Sequence, residues 1–386
     1  MAGPCHYWFL PIPVNINFVA KSSERSVGHQ YTRKTTWWCG EPNSILRIII
    51  RLAMQRSSTR AVRRLKAVTR RVNHPHILQR QGSNPLVRPR PENRWEEKAT
   101  FNPGGILESD KFRLFYRAID VNGISSIGYA AITRDMKTVE RPNHPVLSPS
   151  DPWEELGCED PRITRIGNAY LMLYTAYSRR GPRIALAASP DLNEFKKVGL
   201  VGPDLQDKDA ALFPETIRGK TAMIHRIEPS IQIAYFDNPQ LQELSDPSLR
   251  SEYWTQYLRD VDAHIMMRPQ EWWEKRKIGI GPPPVKTSEG WLIIYHGVDD
   301  NCVYRAGAAL ADLGEPQKIL ARSRTPLLEP EEPYEKHGFV PDVVFPQAAM
   351  VLEGDLYVFY GAADTVSCAA TVRLEELLQW LASQRQ

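Results

Sequence analysis

The sequence has few cysteines, and they follow no ligand pattern. Its 386 residues include five cysteines, with no Cys-x-x-C pair and no Cys/His spacing of the kind that binds zinc. The count is odd, so a disulfide framework is not indicated. We therefore expect no metal site and a reducing, cytoplasmic location.

Long apolar runs are also absent. The longest near the start, residues 45–54, is interrupted by Arg47 and Arg51, whereas a membrane-spanning helix needs about 20 apolar residues. The first residues show no signal-peptide pattern of a positive, an apolar and a small-residue region. We expect no membrane partner.

Nucleotide-binding loops are missing as well. Neither G-x-x-x-x-G-K-[ST] nor G-x-G-x-x-G occurs in the sequence, and both cradle phosphates of nucleotides through glycine-rich turns. No motif supports a serine triad. We therefore expect no nucleotide chemistry and no cofactor.

Acidic residues are scarce only at the start. Residues 1–73 hold 13 Lys and Arg against Glu24 and Glu41, whereas the rest holds 36 against 43 Asp and Glu. We expect residues 1–72 to be a basic, disordered extension. Residues 44–71 could instead form a basic helix that touches nucleic acid or an anionic surface, and a transit-like presequence is a further alternative. The remaining chain is mildly acidic, so no nucleic-acid partner is expected.

A repeated segment organises most of the chain. Each copy has a proline, a short polar turn, an apolar run, and an aromatic residue or histidine followed by a small or polar residue. The five prolines, 58, 53, 70 and 62 residues apart, are Pro103, Pro161, Pro214, Pro284 and Pro346. Five similar units at this period predict an all-β fold, a five-bladed β-propeller over residues 73–386.

Two stretches depart from the repeat. Residues 241–275 contain charged and aromatic residues and form an insertion between the third and fourth units, which could be helical. Residues 374–381 have apolar residues at helical spacing and predict a short C-terminal helix.

Asp160 is the first candidate for chemistry. The proline that follows biases its backbone to an extended conformation, which fixes the carboxyl group at the start of an inner strand. An acid there could protonate a leaving oxygen if its pKa is raised. An ordinary Asp-Pro turn is the alternative.

Cationic and imidazole groups occupy corresponding positions in the other units. They are Arg117, Lys208, His225, Arg226, Lys277 and His296. Cations that point into one channel repel each other unless a negative charge lies between them. That charge could come from Glu159, Glu215 or Asp364, or from a bound oxyanion such as phosphate.

Six separated motifs resemble glycoside hydrolase family 130, the β-mannoside phosphorylases. They are residues 158–164 (Cys-Glu-Asp-Pro-Arg-Ile-Thr), 208–214 (Lys-Asp-Ala-Ala-Leu-Phe-Pro) with His225-Arg226, 277–284 (Lys-Ile-Gly-Ile-Gly-Pro-Pro-Pro), 290–298 (Gly-Trp-Leu-Ile-Ile-Tyr-His-Gly-Val), 338–346 (Gly-Phe-Val-Pro-Asp-Val-Val-Phe-Pro) and 360–365 (Tyr-Gly-Ala-Ala-Asp-Thr). The resemblance covers roughly residues 75–386.

The resemblance implies an enzyme on a five-bladed propeller. Such an enzyme cleaves β-mannosides, β-1,2- or β-1,4-linked, with inorganic phosphate as co-substrate, and it inverts the anomeric centre to give α-mannose 1-phosphate. By motif position Asp160 would be the acid, with its proton passed through a mannose hydroxyl. Lys208, Arg226, Lys277 and Tyr304 would bind phosphate. The sugar would contact Asn102, Arg117, His225, His296 and Asp364.

Two other functions stay open at this point. The family includes inverting β-1,2-mannosidases, and inverting hydrolysis needs a second carboxyl group that activates water; Glu215 is the candidate here. A propeller without activity that binds carbohydrate or protein is the third hypothesis. The sequence leaves oligomeric state open, with a homo-oligomer as one possibility.

Overall fold

The computed structural model of the protein describes residues 77–237 and 241–384. The predicted basic extension, residues 1–72, and the alternative helix over residues 44–71 lie outside the described residues.

Antiparallel meanders make up most of this part of the chain, after a short first strand, β1 (Gln79–Arg80). The first meander is β2 (Ala99–Glu108), β3 (Lys111–Ile119), β4 (Ser125–Ile132) and β5 (Thr138–Glu140). The second is β6 (Gly157–Ile166), β7 (Ala169–Ser178), β8 (Gly181–Ser189) and β9 (Lys196–Leu200). The third is β10 (Lys208–Leu212), β11 (Thr221–Arg226), β12 (Ile231–Phe236) and β13 (Ile265–Met267).

Two further meanders complete the set. The fourth is β14 (Lys277–Ile280), β15 (Val285–Lys286), β16 (Trp291–Val298), β17 (Tyr304–Ala311) and β18 (Ile319–Arg322). The fifth is β19 (Val344–Leu352), β20 (Asp355–Ala362) and β21 (Val366–Arg373), and β1 joins it as the edge strand. A single parallel bridge between Ser125 and Gly157 links the first two meanders. The all-β prediction is confirmed.

Helices are few and peripheral in the part of the chain that the structure describes. The α-helices are α1 (Pro247–Leu258), α2 (Pro333–Lys336) and α3 (Leu374–Ser383). The 3₁₀ helices are Arg94–Glu96, Pro152–Glu154, Leu241–Ser245 and Val261–His264. The helix α3 confirms the predicted C-terminal helix, and α1 lies in the predicted insertion. No described helix is both long and apolar enough to cross a membrane.

Local sequence explains where α1 begins. Asp246 stands at the N-cap and accepts hydrogen bonds from the backbone of Ser248 and Leu249, which satisfies two of the free N–H groups at a helix start. Pro247 follows as the first helical residue, where it has no N–H to lose. The inner face of the helix then buries Trp254 and Tyr257 against the second and third meanders.

The apolar runs of the sequence become the second strands of the meanders. Every residue of β16, for example, is buried, because its sheet is covered on both faces. A strand covered on both sides carries a continuous apolar run and not an alternating pattern.

Five hydrophobic clusters fill the spaces between meanders. Each cluster contains residues from two consecutive meanders, and the last cluster contains residues from the fifth and the first. Examples, one pair from each cluster, are Phe115 with Met172, Leu173 with Met223, Ile233 with Ile293, Ile294 with Val358, and Phe359 with Phe112. Each meander therefore packs on the next, and the fifth packs on the first.

The start of the described chain belongs to the last sheet. In β1, Gln79 lies opposite Thr371 of β21, and Val87 forms a further bridge to Ser367. The guanidinium group of Arg80 donates to both oxygens of the fully buried Glu335, each at 2.9 Å. Residues far apart in sequence thus complete one sheet.

Candidate functional site

A β-bulge interrupts the first strand of four meanders. The bulges lie between Phe101 and Gly104, Glu159 and Arg162, Lys208 and Ala211, and Pro346 and Ala348. In the first three, the bulge begins with Asn102, Asp160 or Asp209, at φ angles of 47°, 51° and 56°. Asparagine and aspartate enter this left-handed region more readily than other side chains. Bulges re-aim side chains beside functional sites, so these three residues hold equivalent, redirected positions.

The residue opposite each bulge is an aromatic residue or a histidine bound to a buried carboxylate. The pairs are Tyr116 with Glu96 at 2.7 Å, Tyr174 with Glu154 at 2.6 Å, His225 with Asp207 at 2.7 Å, and Tyr360 with Glu335 at 2.8 Å. These carboxylates are at most 1% exposed. Each pair holds in place the strand that faces the bulge. The next residue along that strand, such as Arg117 or Arg226, therefore lies beside the bulge.

His225 therefore has a place other than the sugar site that the sequence predicted. Its side chain is fully buried. Its Nδ1 atom bonds Asp207, and its Nε2 atom lies 2.8 Å from the Tyr257 hydroxyl group of α1. Both ring nitrogens are occupied by protein groups, so we do not retain His225 as a sugar ligand.

Asp160 lies at the centre of a polar cluster and is 2% exposed. Its Oδ1 atom accepts a hydrogen bond from the amide of Asn102 at 2.9 Å and lies 3.7 Å from the Arg117 guanidinium group. Its Oδ2 atom lies 3.6 Å from the Lys208 ammonium group. The structure thus brings together four of the predicted site residues.

These neighbours set the charge of Asp160. Burial alone would raise its pKa, but Lys208 and then Arg117 outweigh burial, so the pKa of Asp160 lies below its ordinary value. In Glu159 the balance is reversed. Burial raises the pKa of Glu159 although Arg117 lies 2.6 Å from its carboxylate.

A second group of cations continues from Lys208. Arg226 lies opposite Lys208 in the register of β10 and β11. Its Nη1 atom is 3.1 Å from Glu228 Oε1, and the same oxygen accepts a hydrogen bond from Lys277 at 2.7 Å. Burial, followed by the charge of Arg226, lowers the pKa of Lys277 to about 8.

Asp209 and Arg162 form the buried floor beneath these groups. Asp209 is fully buried, 2.9 Å from Arg226 Nε and 3.3 Å from Arg162. Burial opposes its charge, but Arg226 and Arg162 hold the pKa of Asp209 far below its usual value. Arg162 also donates to the carbonyl groups of Gly281 and Ile280, at 2.6 and 2.8 Å. The second, third and fourth meanders are therefore joined under the site.

His296 and Tyr304 complete the side formed by the fourth meander. His296 is 1% exposed, and Asp209 Oδ2 lies 3.7 Å from its Nε2 atom. Neither ring nitrogen has a hydrogen-bond partner among the described residues. Burial lowers the pKa of His296 well below its usual value, so the ring is neutral. The Tyr304 ring lies 5.9 Å from it, centroid to centroid. A buried polar atom without a partner is costly, which indicates a place for a ligand.

Asp364 lies within electrostatic range of the Asp160 cluster. Burial and the charge of Asp160 raise the pKa of Asp364 to about 7, although Arg117 opposes them. A carboxyl group with this pKa is partly protonated at neutral pH and can donate a hydrogen bond. Like Asn102, Asp160 and Asp209, it has a positive φ angle, here 48°.

Glu215 does not join this cluster. Its carboxylate bonds Lys286 at 2.5 Å, and both side chains are about half exposed. Lys286 pairs with Trp291 at one end of β16, whereas His296 lies five residues along the same strand, a distance of roughly 17 Å. Within the described residues no group of three or more His, Cys, Asp or Glu could hold a metal ion.

A comparison with protein families shows which family this chain belongs to. The family described as β-1,4-mannooligosaccharide phosphorylase, glycoside hydrolase family 130, matches residues 69–383. The chain belongs to this family.

Two curated relatives of this chain come from Thermoanaerobacter sp. strain X514. A 1,2-β-oligomannan phosphorylase is 40% identical over 311 residues, and a β-1,2-mannobiose phosphorylase is 41% identical over 316 residues. Each comparison covers 78% of this chain and 98% of the relative. The solved β-1,2-mannobiose phosphorylase from Listeria innocua, in complex with β-1,2-mannobiose, is 27% identical with a TM-score of 0.67, covering 79% of this chain and 99% of that one.

Sequence reasoning did not single out Arg162, Asp209 or Glu228 in this family 130 chain. A signal for Asp209 was present, since Lys-Asp-Ala in the third unit corresponds to Glu-Asp-Pro in the second. No comparable signal marked Glu228, which follows β11 and depends on the packing of β14 against it. Arg162 belongs to the motif at residues 158–164, but most of its side-chain hydrogen bonds go to residues of the third and fourth meanders.

Proposed function

We propose that this protein is a β-mannoside phosphorylase that uses inorganic phosphate and releases α-mannose 1-phosphate with inversion. One observation carries the proposal: the Asp160 carboxyl group lies 3.6 Å from Lys208, and Arg226 and Lys277 follow in one connected cluster. An acid next to several cations suits attack by an anion, because phosphate is already a nucleophile and needs no base.

The reaction follows from these positions. A phosphate oxygen forms a bond to C1 of the mannosyl unit while the bond from C1 to the glycosidic oxygen breaks. The electron pair of the broken bond stays on the leaving oxygen, which receives the proton of Asp160 through a mannose hydroxyl group. Attack opposite the leaving oxygen converts a β-mannoside into the α-phosphate.

We assign the remaining residues by position. Lys208, Arg226, Lys277 and Tyr304 bind phosphate. In support, Arg226 lies opposite Lys208 and shares the carboxylate of Glu228 with Lys277. Asn102, Arg117, His296 and Asp364 bind the mannosyl unit. Support comes from the Asn102 Oδ1 atom and both His296 nitrogens, which are buried without a hydrogen-bond partner among the described residues; a sugar hydroxyl group or phosphate would satisfy them.

Phosphate also prepares the acid. Without it, Lys208 and Arg117 keep the pKa of Asp160 low and the carboxyl group ionised. A phosphate beside Lys208 offsets that positive charge and raises the pKa of Asp160. Phosphate binding therefore favours the protonated acid that bond cleavage needs.

We further propose that the substrate is β-1,2-linked. The family description names β-1,4-mannooligosaccharides, whereas the two curated relatives at 40% and 41% identity are named for β-1,2-linked mannosides. The hydrolytic alternative loses its predicted base, since Glu215 pairs with Lys286 away from Asp160.

We also propose that the five meanders are the blades of a propeller and that residues 73–386 form the catalytic domain. The five clusters between consecutive meanders, including the one between the fifth and the first, support this arrangement. A cytoplasmic location and a homo-oligomer stay predictions, to be tested by fractionation and by light scattering.

Product analysis tests the proposed function. The protein is incubated with β-1,2- or β-1,4-mannobiose, with and without phosphate. We expect α-mannose 1-phosphate and mannose from the β-1,2-linked substrate only when phosphate is present. Mannose release without phosphate would support the hydrolase, and no turnover of either substrate would support the non-catalytic binding protein.

The Asp160→Asn variant tests the acid. We expect its kcat to fall about 10²- to 10⁴-fold, the range for loss of a general acid, and phosphate binding to persist. The matched control is Asp135→Asn, whose exposed carboxylate pairs with Lys137, and it should keep wild-type kcat. An unchanged kcat in Asp160→Asn would refute the assignment.

A further inference from the structure

Glu228 occupies the position between two of the proposed phosphate ligands. A single oxygen, Oε1, lies 3.1 Å from Arg226 Nη1 and 2.7 Å from Lys277 Nζ. Carboxylate and phosphate oxygens compete for the same donors, since both accept charge-assisted hydrogen bonds from arginine and lysine. The protein thus supplies its own anion at this point.

The two carboxylates that hold Arg226 differ in exposure. Asp209 is fully buried beneath the guanidinium group and fixed by Arg162, so it cannot leave. The Glu228 side chain is 57% exposed, so it can rotate into solvent while a bound phosphate takes its place beside Arg226 and Lys277. Only the second of these contacts can be exchanged for a ligand at low cost.

The backbone around Glu228 is held in place. The backbone N–H of Ile227 donates to Gln232 Oε1 at 2.7 Å, and the Ile227 carbonyl accepts from the same amide group at 3.0 Å. On the other side, Ile278 of β14 donates to the Pro229 carbonyl at 3.0 Å. Displacement of the carboxylate therefore requires side-chain rotation and no movement of the strand.

The charges of the three groups are consistent with a competing anion. Burial raises the pKa of Glu228, but Arg226 and Lys277 outweigh it, so the pKa lies below its ordinary value and the group is ionised at neutral pH. Glu228 in turn supports the charged form of Lys277. Arg226 and Lys277 can therefore bind phosphate once the Glu228 carboxylate has moved away.

We propose that Glu228 is a displaceable internal anion, which bridges Arg226 and Lys277 in the free enzyme and must rotate into solvent when phosphate binds. This role rests on the proposed function and refines it. Glu228 sets the phosphate concentration at which the enzyme works, and it keeps the two cations in place between turnovers. It takes no part in bond cleavage.

The Glu228→Gln variant tests this role. A neutral amide competes poorly for two cations, so we expect the KM for phosphate to fall roughly twofold to fivefold, the scale of a partly exposed ion contact. The KM for β-1,2-mannobiose should stay the same and kcat should stay within about twofold, because a displaced side chain is absent from the transition state. Measurements at pH 6.5 lie below the pKa of Lys277 in the wild-type enzyme, which is about 8.

A matched control and a second measurement separate the possible outcomes. Glu315→Gln removes a similarly exposed carboxylate, one that pairs with Arg218 elsewhere, and should leave the KM for phosphate unchanged. Calorimetric titration with inorganic phosphate should show the same gain in affinity for Glu228→Gln and for Glu228→Ala. An unchanged or weaker phosphate affinity in both variants would overturn the proposal. Wild-type enzyme without phosphate-dependent turnover would refute the proposed function, and calorimetry would still decide the role of Glu228.

Discussion

Lys277 is the proposed phosphate ligand whose charge depends most on pH. Burial and the nearby Arg226 lower its pKa to about 8, so the group is protonated below that pH and neutral above it. The guanidinium groups around it keep their charge over the same range. Phosphate binding should therefore weaken on the alkaline side because of this one residue.

We predict that the KM for phosphate rises about tenfold between pH 7 and pH 9, as the charged fraction of Lys277 falls. Steady-state kinetics across this range measures the rise. Lys277→Arg keeps a positive charge throughout, so the rise caused by loss of the Lys277 charge should be absent, and any remaining change measures phosphate's own ionisation. Identical profiles in the two proteins would contradict the role of Lys277.

At the scale of single residues, the sequence predicts the site residues that stand in repeated motifs. It does not predict the residues that reach the site only through packing between meanders. Asp160, Lys208 and Arg226 stand in recognisable motifs, and the structure places them together. His225 stands in the same kind of motif, but its ring faces the carboxylate behind the bulge. Neighbouring side chains on a strand point to opposite faces of the sheet. Only the register of the strand determines which of the two neighbours faces the site.

At the scale of strands, the number of repeats was predictable and their alignment was not. The sequence repeat aligns the prolines, yet the feature that recurs in the first three units is a left-handed Asn or Asp residue at a bulge. Pro103 and Pro161 follow such residues directly, whereas the third unit has Asp209 followed by alanine, and Pro214 lies beyond β10. A bulge adds one residue to one strand, which no spacing rule in a single sequence reveals.

The helix α1 supports the site through the third meander. The Tyr257 hydroxyl group contacts His225, His225 bonds Asp207, and Asp207 accepts the backbone N–H of Arg226 at 3.2 Å. In the other meanders with a direct pair the aromatic partner is a tyrosine that bonds Glu96, Glu154 or Glu335. The inserted helix therefore helps to position a proposed phosphate ligand.

We predict that Tyr257→Phe lowers the free energy of unfolding by about 1–3 kcal/mol, because His225 keeps a buried nitrogen without its partner. The KM for phosphate should rise severalfold while the KM for β-1,2-mannobiose stays the same. Urea unfolding and steady-state kinetics measure the two effects.

The control for this prediction lies on the same helix. Tyr253 donates its hydroxyl group to the Tyr235 carbonyl at 2.9 Å, whereas the ring nitrogens of His225 bond Asp207 and Tyr257. Tyr253→Phe should lose stability and keep the wild-type KM for phosphate. If both variants change that KM equally, α1 acts only as packing.

At the scale of the molecule, the repeat and the β class followed from the sequence because each unit carries its own apolar run and turn. Five consecutive units of similar length also implied that each unit packs on the next one in the chain. The contribution of β1 to the last sheet was not predictable, since a two-residue strand has no periodicity of its own. Its place is fixed by contacts with distant residues, among them Arg80 with Glu335.

We predict that Arg80→Ala lowers the free energy of unfolding by about 3–5 kcal/mol, because it leaves the buried carboxylate of Glu335 without its cation. Urea unfolding measures the loss. Arg134→Ala, which breaks an exposed pair with Glu353, should leave stability unchanged. Equal stability of the Arg80 and Arg134 variants would show that β1 is a passive edge.

The pairing of Gln79 with Thr371 also orders events during synthesis. The last sheet stays incomplete on the ribosome until β21 has emerged. The edge of β1 therefore remains unpaired while the residues between β1 and β21 are translated. Contacts this distant in sequence slow folding. A nascent chain stalled before β21 should therefore remain sensitive to proteolysis near β1, long after the earlier meanders are protected.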